Sequence, residues 1–373
     1  ETLKQLKREN LSQDQYLDFV KELEKRGKVC GCELIIPLPN ETKKTYFDST
    51  RILLDCGVSI GTYTLMLNQG AELGRVESIK KYDMKSKWRI VPRDFGTYRG
   101  IKVFDVERAC VETNTMSFKE YLECRRFSFL VHLFSNSVFL PIKKLLSKEL
   151  DVSFFEFVSS IYNSLENDSK RKIKVKFPEK ISKIYFEFSK ECEDELFDSK
   201  EHIYNFYSKD ENYNKLLNAE LGDNLLRKYA AKTLVNALNE IIDFSINVIL
   251  EMIPKDHIKR TEIGYVLESS RIWLRNLYMF DALFDWEKEK NKEPIISLKY
   301  DIPNWFNNDN ESIFKYNKKT NYKMKYSEKN EKLKNELNSL FNKSDKNFSL
   351  GKYFHQMNYN VDDIQRSSVK VLS

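Results

Sequence analysis

The sequence lacks the cysteine pattern of a disulfide framework. Its six cysteines, Cys30, Cys32, Cys56, Cys110, Cys124 and Cys192, fall at irregular intervals. That excludes the small secreted scaffolds held together by bridges and points to a reducing, cytoplasmic setting. An obvious membrane span is also lacking. The most apolar stretch, Phe127 to Ile142, is broken by His132 and Asn136 and preceded by Arg125 and Arg126. It falls short of the roughly 20 apolar residues a spanning helix needs. No secretory signal is visible, and no repeat of solenoid period. Charge of one sign is not in large excess either: 62 Lys and Arg stand against 56 Asp and Glu, a net of +6. A small surplus of that kind is a solvated surface, whereas a nucleic-acid partner would want the positive charge gathered on one face. His132, His202, His257 and His355 are scattered. Cys30 and Cys32 share a face if their segment is a strand, but no CxxC or nearby His completes a zinc-type site, so both read as ordinary buried cysteines. The first residue is Glu1, and the opening run ETLKQLKREN reads as the middle of something; a fragment of a larger protein is expected.

What is present is a globular composition, 41% hydrophobic, 32% charged and 13% aromatic over 373 residues, enough for two domains. The first seventy residues alternate between two periods. Ser12 and Gln15 form a capping box, with Tyr16, Phe19, Val20 and Leu23 on one helical face and Gly27 as the stop. Residues 29–36 (VCGCELII) form a strand-length apolar run. A turn, PLPNET, follows, in which Asn40 is expected to cap a helix over 41–56, and 58–67 (VSIGTYTLML) reads as a second strand. Buried strands alternating with helices imply a parallel sheet, and two strands cannot close a core. Residues 70–116 are rich in Gly, Pro and Arg and read as loop. After Ser117, which forms a second capping box with Glu120, long helices are expected. The clearest runs over 224–253, with an apolar row from Leu226 through Ala230, Leu234, Leu238, Ile242 and Ile246 to Leu250, and Pro254 ends it. Another covers 263–287. PIISLKYD, SIFKYN and NYKMKY suggest a small antiparallel sheet, the last two paired through the NKKT turn, followed by a Lys-rich helix near 328–342 and a loose tail.

Three stretches carry a resemblance: Leu6 to Asn10 (LKREN), Leu34 to Thr42 (LIIPLPNET) and Tyr63 to Leu73 (YTLMLNQGAEL). In order and spacing they resemble the later part of the radical S-adenosylmethionine barrel. There a segment like LKNIKRxN follows the fourth strand, the fifth ends in LIxGLPGET, and the sixth in a run like YxLxxxPGTxL. The likeness covers roughly residues 1–90 and is greatest for the branch with a cobalamin-binding domain ahead of the barrel. Pro37 and Asn40 replace the two glycines of GLPGET, and Gln69–Gly70–Ala71 replaces Pro–Gly–Thr. The family's CxxxCxxC, three thiolates on an iron–sulfur cluster, has no counterpart among these cysteines; in that fold it follows the first strand, upstream of Glu1.

The resemblance implies an α/β fold, with the C-terminal part of a TIM-type (βα) barrel over 1–95; the helical and strand periods that follow add a helical domain over 96–290 and a small mixed α/β tail over 291–373. It implies reductive cleavage of S-adenosylmethionine on a [4Fe-4S] cluster bound upstream, driving a radical reaction or, with cobalamin, methyl transfer. The partners would be a small-molecule or biosynthetic-intermediate substrate and a reductant such as flavodoxin or ferredoxin. Arg8 would hold the cofactor carboxylate, or else be one surface cation of a basic run. Ile35, Ile36, Tyr63 and Met66 would hold adenine, or else be barrel packing. A different βα-barrel enzyme and a non-catalytic helical interaction protein remain as alternatives.

Overall fold

The computed structural model describes residues 13–26, 28, 30–166, 174–283, 286–308, 311–327, 330, 331, 335 and 364–371. Arg8, Ser12, Gly27 and most of the Lys-rich stretch near 328–342 lie outside these. The chain forms two compact units, each assembled from two segments: Glu1–Ser135 with Tyr185–Leu226, and Asn136–Ile184 with Arg227–Ser373. None of the three junctions falls at residue 95 or 290.

The first unit opens with helix α1 (Gln13–Lys25), strand β1 (Gly31–Ile36), helix α2 (Lys43–Asp55) and strand β2 (Ser59–Thr64). The two strands pair in parallel, from Gly31 opposite Ser59 to Ile36 opposite Thr64. The cap of α2 is Thr42, not Asn40: Thr45 N donates to Thr42 Oγ1 at 3.1 Å and Thr42 N to Thr45 Oγ1 at 2.9 Å. Threonine satisfies the free N–H groups of the first turn as asparagine would, and Asn40 instead takes a left-handed backbone, φ 63°, within the turn.

After a short helix α3 (Val76–Lys81), the passage read as loop is a long antiparallel hairpin of β3 (Lys85–Tyr98) and β4 (Ile101–Glu112). Its pairing shifts register between Ile90 and Phe95. Pro92, which has no N–H to give the ladder, sits in that irregularity. Tyr98 pairs with Ile101, and the two residues between, Arg99 (φ 49°) and Gly100 (φ 80°), both have positive φ, the requirement of a type I′ turn. Ile90 and Phe104 of the hairpin pack with Phe197, Ile203, Tyr207, Tyr213 and Leu216. Helix α4 (Phe118–Phe134) starts at the expected Ser117–Glu120 capping box and is buried around most of its circumference. Such a helix belongs in a core. Phe127 stacks on Phe47 of α2 with centroids 4.2 Å apart. Past its end, β2 meets the hairpin: Leu67 N donates to Arg108 O and Cys110 N to Leu65 O, each at 2.8 Å. No sheet among the described residues closes into a barrel.

The second unit is mainly helical: α5 (Leu140–Glu149), α6 (Phe154–Leu165), the start of α7 (Glu179–Asp194), then, past the α8 (Lys200–Tyr207) and α9 (Asp210–Leu217) helices of the first unit, α10 (Leu225–Met252) and α11 (Arg260–Leu277). The expected apolar rows of α10 are there, but the helix is kinked at Ala237 (φ −141°, ψ 27°). Helix α11 ends ten residues early, because Tyr278 turns extended. The tail sheet joins β5 (Ile295–Leu298), β6 (Thr320–Lys325) and β7 (Ser367–Lys370), all antiparallel. SIFKYN is not a strand. Ile313–Tyr316 is a 3₁₀ turn capped by Ser312, whose hydroxyl donates to Glu149 Oε2 at 2.7 Å.

Among the described residues one helix, α10, is long and apolar enough to cross a membrane, and 61% of its most apolar window is buried inside the fold. Burial of that extent is how a core helix behaves. Phe118–Phe134 and Ser137–Glu149 pass the same test only when taken together.

Candidate functional site at the carboxyl ends of the parallel strands

Side chains alternate across a strand, and β1 and β2 show what that does. Thr62 and Thr64 of β2 face the helices: Thr62 Oγ1 lies 3.2 Å from the Tyr46 hydroxyl and Thr64 Oγ1 2.8 Å from that of Tyr121. Ile36, opposite Thr64, shares their face and is fully buried. The opposite face carries Glu33, Ile35, Gly61 and Tyr63 and is open. Tyr63 is 47% exposed, and its ring lies back over Gly61. Beyond the strand ends a cavity of about 430 Å³ forms, walled by Ile35, Leu38, Tyr63, Met66 and Leu73, with Glu33, Asn68 and Glu72 supplying polar groups.

The structure places Ile35, Tyr63 and Met66 in the lining of one cavity. Ile36 does not join them: the period of two turns it into the core, where it packs rather than lines the cavity. Arg8 lies outside the described residues. Sequence reasoning passed over Glu33, which the same alternation places beside Ile35, and Asn68, Glu72 and Leu73, which stand in the Tyr63–Leu73 motif. The rim is held by close backbone approach. A Cβ on Gly74 would come 2.2 Å from the carbonyl oxygen of Asn68, so only glycine lets the Glu72–Gly74 turn close over that carbonyl.

Glu41, on the turn after β1, was also passed over. Leu38 N donates to its carboxylate at 3.3 Å, and Thr115 Oγ1 donates to its backbone carbonyl at 2.7 Å. Burial pushes its carboxyl up to about 7, opposed by the Leu38 hydrogen bond.

Behind the helical face lies a buried ionic network. Arg89 Nε donates to Glu107 at 2.6 Å. Glu195 lies 3.5 Å from both Arg89 and Arg125, and Arg125 is 5% exposed. These groups hold β3, β4, α4 and α7 together within the first unit and do not reach the cavity lining.

No group of three or more metal-ligating side chains occurs among the described residues. Cys30 lies 3.4 Å from the Tyr16 hydroxyl. Burial raises the thiols of Cys110, Cys124 and Cys192 well above their ordinary value, which keeps them protonated and poor as ligands or nucleophiles. No protein-family model matches the chain, and no curated protein matches it.

Proposed function

We propose that the parallel pair is part of a radical S-adenosylmethionine barrel and that the cavity at its carboxyl ends receives the adenosyl part of the cofactor. One observation carries the reading. The Leu34–Thr42 and Tyr63–Leu73 motifs, separated by a helix, both contribute walls to one cavity at the carboxyl ends of adjacent parallel strands, where ligands of such folds bind. The bare face beside it supports the same reading. Parallel strands are ordinarily covered on both sides, and the outer edge of β1 has no partner strand among the described residues; further barrel strands would supply both cover and edge.

The lining suits the group. Ile35, Leu38, Leu73 and the Tyr63 ring offer apolar contact to a flat base. Glu33 and Glu72 offer acceptors to ribose hydroxyls and negative charge to a sulfonium. The cluster has no fitting ligand set among the described cysteines, and nothing described here fits cobalamin, so no step is assigned to either within this chain. In the intact protein the function would be reductive cleavage of S-adenosylmethionine, driving a radical reaction or methyl transfer on a small-molecule substrate with electrons from a flavodoxin- or ferredoxin-type donor.

The test is to reconstitute the product of the intact reading frame anaerobically, reduce it, and look for 5′-deoxyadenosine from S-adenosylmethionine. Its absence, with a full cluster present, rejects the reading. A second reading has one observation in its favour. Glu33 and Glu72 line the same cavity, which is a pair of carboxylates where a different βα-barrel enzyme would want an acid and a base. That enzyme would not bind S-adenosylmethionine, and its activity would vanish in Glu33→Gln or Glu72→Gln.

A further inference from the structure

We propose a second ligand site, independent of the reading above, in the unit formed by Asn136–Ile184 and Arg227–Ser373. It is a cavity of about 700 Å³ that takes a flat aromatic ring bearing an oxyanion, a phosphate or a carboxylate, at about the size of a mononucleotide. The volume lies in the range of small-molecule sites, roughly 300–1,000 Å³.

One wall is the run that leads into and along β7: Gln365, Arg366, Ser367, Ser368 and Lys370 all line the cavity. Two of them, Arg366 and Lys370, are cations, and no Asp or Glu is part of the described lining. Lys370 is fixed and largely balanced by Asp301, with Nζ 3.1 Å from Oδ2 and the Tyr322 hydroxyl donating to the other oxygen at 2.5 Å. Arg366 has no carboxylate at ion-pair distance among the described residues; Glu289 and Asp281 act on its charge only from farther off. Its backbone N–H donates to Leu277 O at 2.7 Å and its Nη1 to Asn276 O at 3.0 Å. Its Nε is buried without an acceptor. A guanidinium anchored at one nitrogen, with donors to spare, matches the fork that binds an oxyanion.

An aromatic part of the lining adjoins this run. Trp273 and Phe306 stand with ring centroids 5.9 Å apart at 56°. The indole N–H is already satisfied by Ser368 Oγ at 3.0 Å, so the Trp273 ring is held in place and offers contact rather than a free donor. Asn307, also in the lining, spends its amide N–H on Pro303 O at 3.0 Å. That leaves its carbonyl to accept from a ring N–H or amino group. Cations for an anion, fixed rings for a ring and an amide for its edge converge on one cavity. A bare phosphate would leave the rings unused, and an uncharged ring would leave Arg366 without its acceptor.

Calorimetry on the full chain tests the site with two anionic rings, adenosine 5′-monophosphate for the phosphate source and nicotinic acid for the carboxylate source. Adenosine and inorganic phosphate serve as the two halves. One of the anionic rings should bind, and more tightly than either half. Arg366→Lys keeps the charge but loses the fork, and should weaken the anionic ring about 10-fold while leaving adenosine unchanged. Phe306→Leu should weaken the anionic ring and adenosine alike. Asn307→Asp, which puts a carboxylate on the rim without changing its volume, should also weaken the anionic ring, and it keeps the test open should Arg366→Lys unfold. Thermal melting confirms that each variant is folded. The proposal is overturned if neither anionic ring binds at about 1 mM, a concentration that detects even weak sites. It is also overturned if binding occurs but none of the three variants changes it.

Discussion

The two β regions of this protein differ in how they settle their apolar surface. In the β5–β6–β7 sheet the alternation is clean: Ile296, Leu298, Tyr322 and Met324 are buried, while their neighbours Ile295 and Ser297 face out. An antiparallel sheet with one wet face is a complete solution. The β1–β2 pair is not. Its helical face is sealed by Tyr46, Tyr121 and Ile36, yet on the other face Tyr63 stands exposed and Ile35 is only partly buried, packed on the cluster of Leu65, Leu67 and Met84 with a cavity beside it. The same period of two thus yields a finished surface in one place and a surface that wants a partner in the other. The difference teaches where to look for a ligand or for further strands: at apolar residues that alternation places together and that no element fully covers.

The sharpest way to break the sealed side is to take away its buried charge balance. Glu195→Ala would leave Arg89 and Arg125 facing each other without their shared carboxylate. Removing one partner of a buried ionic set costs about 3–5 kcal/mol. Denaturant unfolding should show that loss. A change under about 1 kcal/mol, the size of a surface pair, would mean that the network is hydrated and does not hold the helical face.

The two faces of β1 can be set against each other directly. Ile36→Ala empties a fully buried position and should cost about 2–5 kcal/mol. Ile35→Ala, on the open face, should cost about 1 kcal/mol, the size of a partly buried contact. Equal losses would show that the open face is covered after all, and the comparison would fail.

Much of this first region was legible in the sequence, for a physical reason. Local caps, a strand-length apolar run and a glycine stop are short-range signals, and the Ser117–Glu120 cap and the strand–helix–strand order came directly from them. The hairpin was hidden because Pro92, Gly96 and Gly100 look like loop punctuation, while the pairing that makes them a bulge and a turn is between segments. In the tail, β7 could not be read because its partner β6 lies more than forty residues earlier, and SSVK has no pattern of its own. At the site, Ile35 and Ile36 were grouped by adjacency, although alternation forbids neighbours from sharing a face. Glu33, two residues from Ile35, was the position that rule would have found.

The turn after β1 can be probed by pH. Glu41 has its carboxyl raised from the ordinary 4.5 to about 7 by burial. The folded state therefore prefers it protonated. Its contribution is fully present below about pH 4.5 and is lost as the pH rises to about 7; above that, holding the ionised form in the fold costs on the order of 1–3 kcal/mol. Glu41→Gln keeps an acceptor for Leu38 N and removes the titration. The variant should melt higher than the parent at pH 8, and the gap should close by pH 5. A constant gap across that range would place the titration elsewhere.

The smallest effect concerns the β3–β4 turn. Type I′ geometry needs positive φ at both central residues, and Arg99 supplies the first at φ 49°. A side chain with a Cβ is strained there; asparagine tolerates the left-handed region better than other non-glycine residues, and Asn–Gly is the favoured pair for this turn. Arg99 makes no ion pair among the described residues that the change would remove. Arg99→Asn should then stabilise the hairpin by about 0.5–1 kcal/mol, the usual scale for relieving such a backbone preference. Amide hydrogen exchange at Tyr98 and Ile101 would read it locally, as slower exchange in the variant with the rest of the first unit unchanged. Unchanged or faster exchange at those two positions would mean that the turn is not of this type, and that the hairpin owes its register to the packing of Ile90 and Phe104 alone.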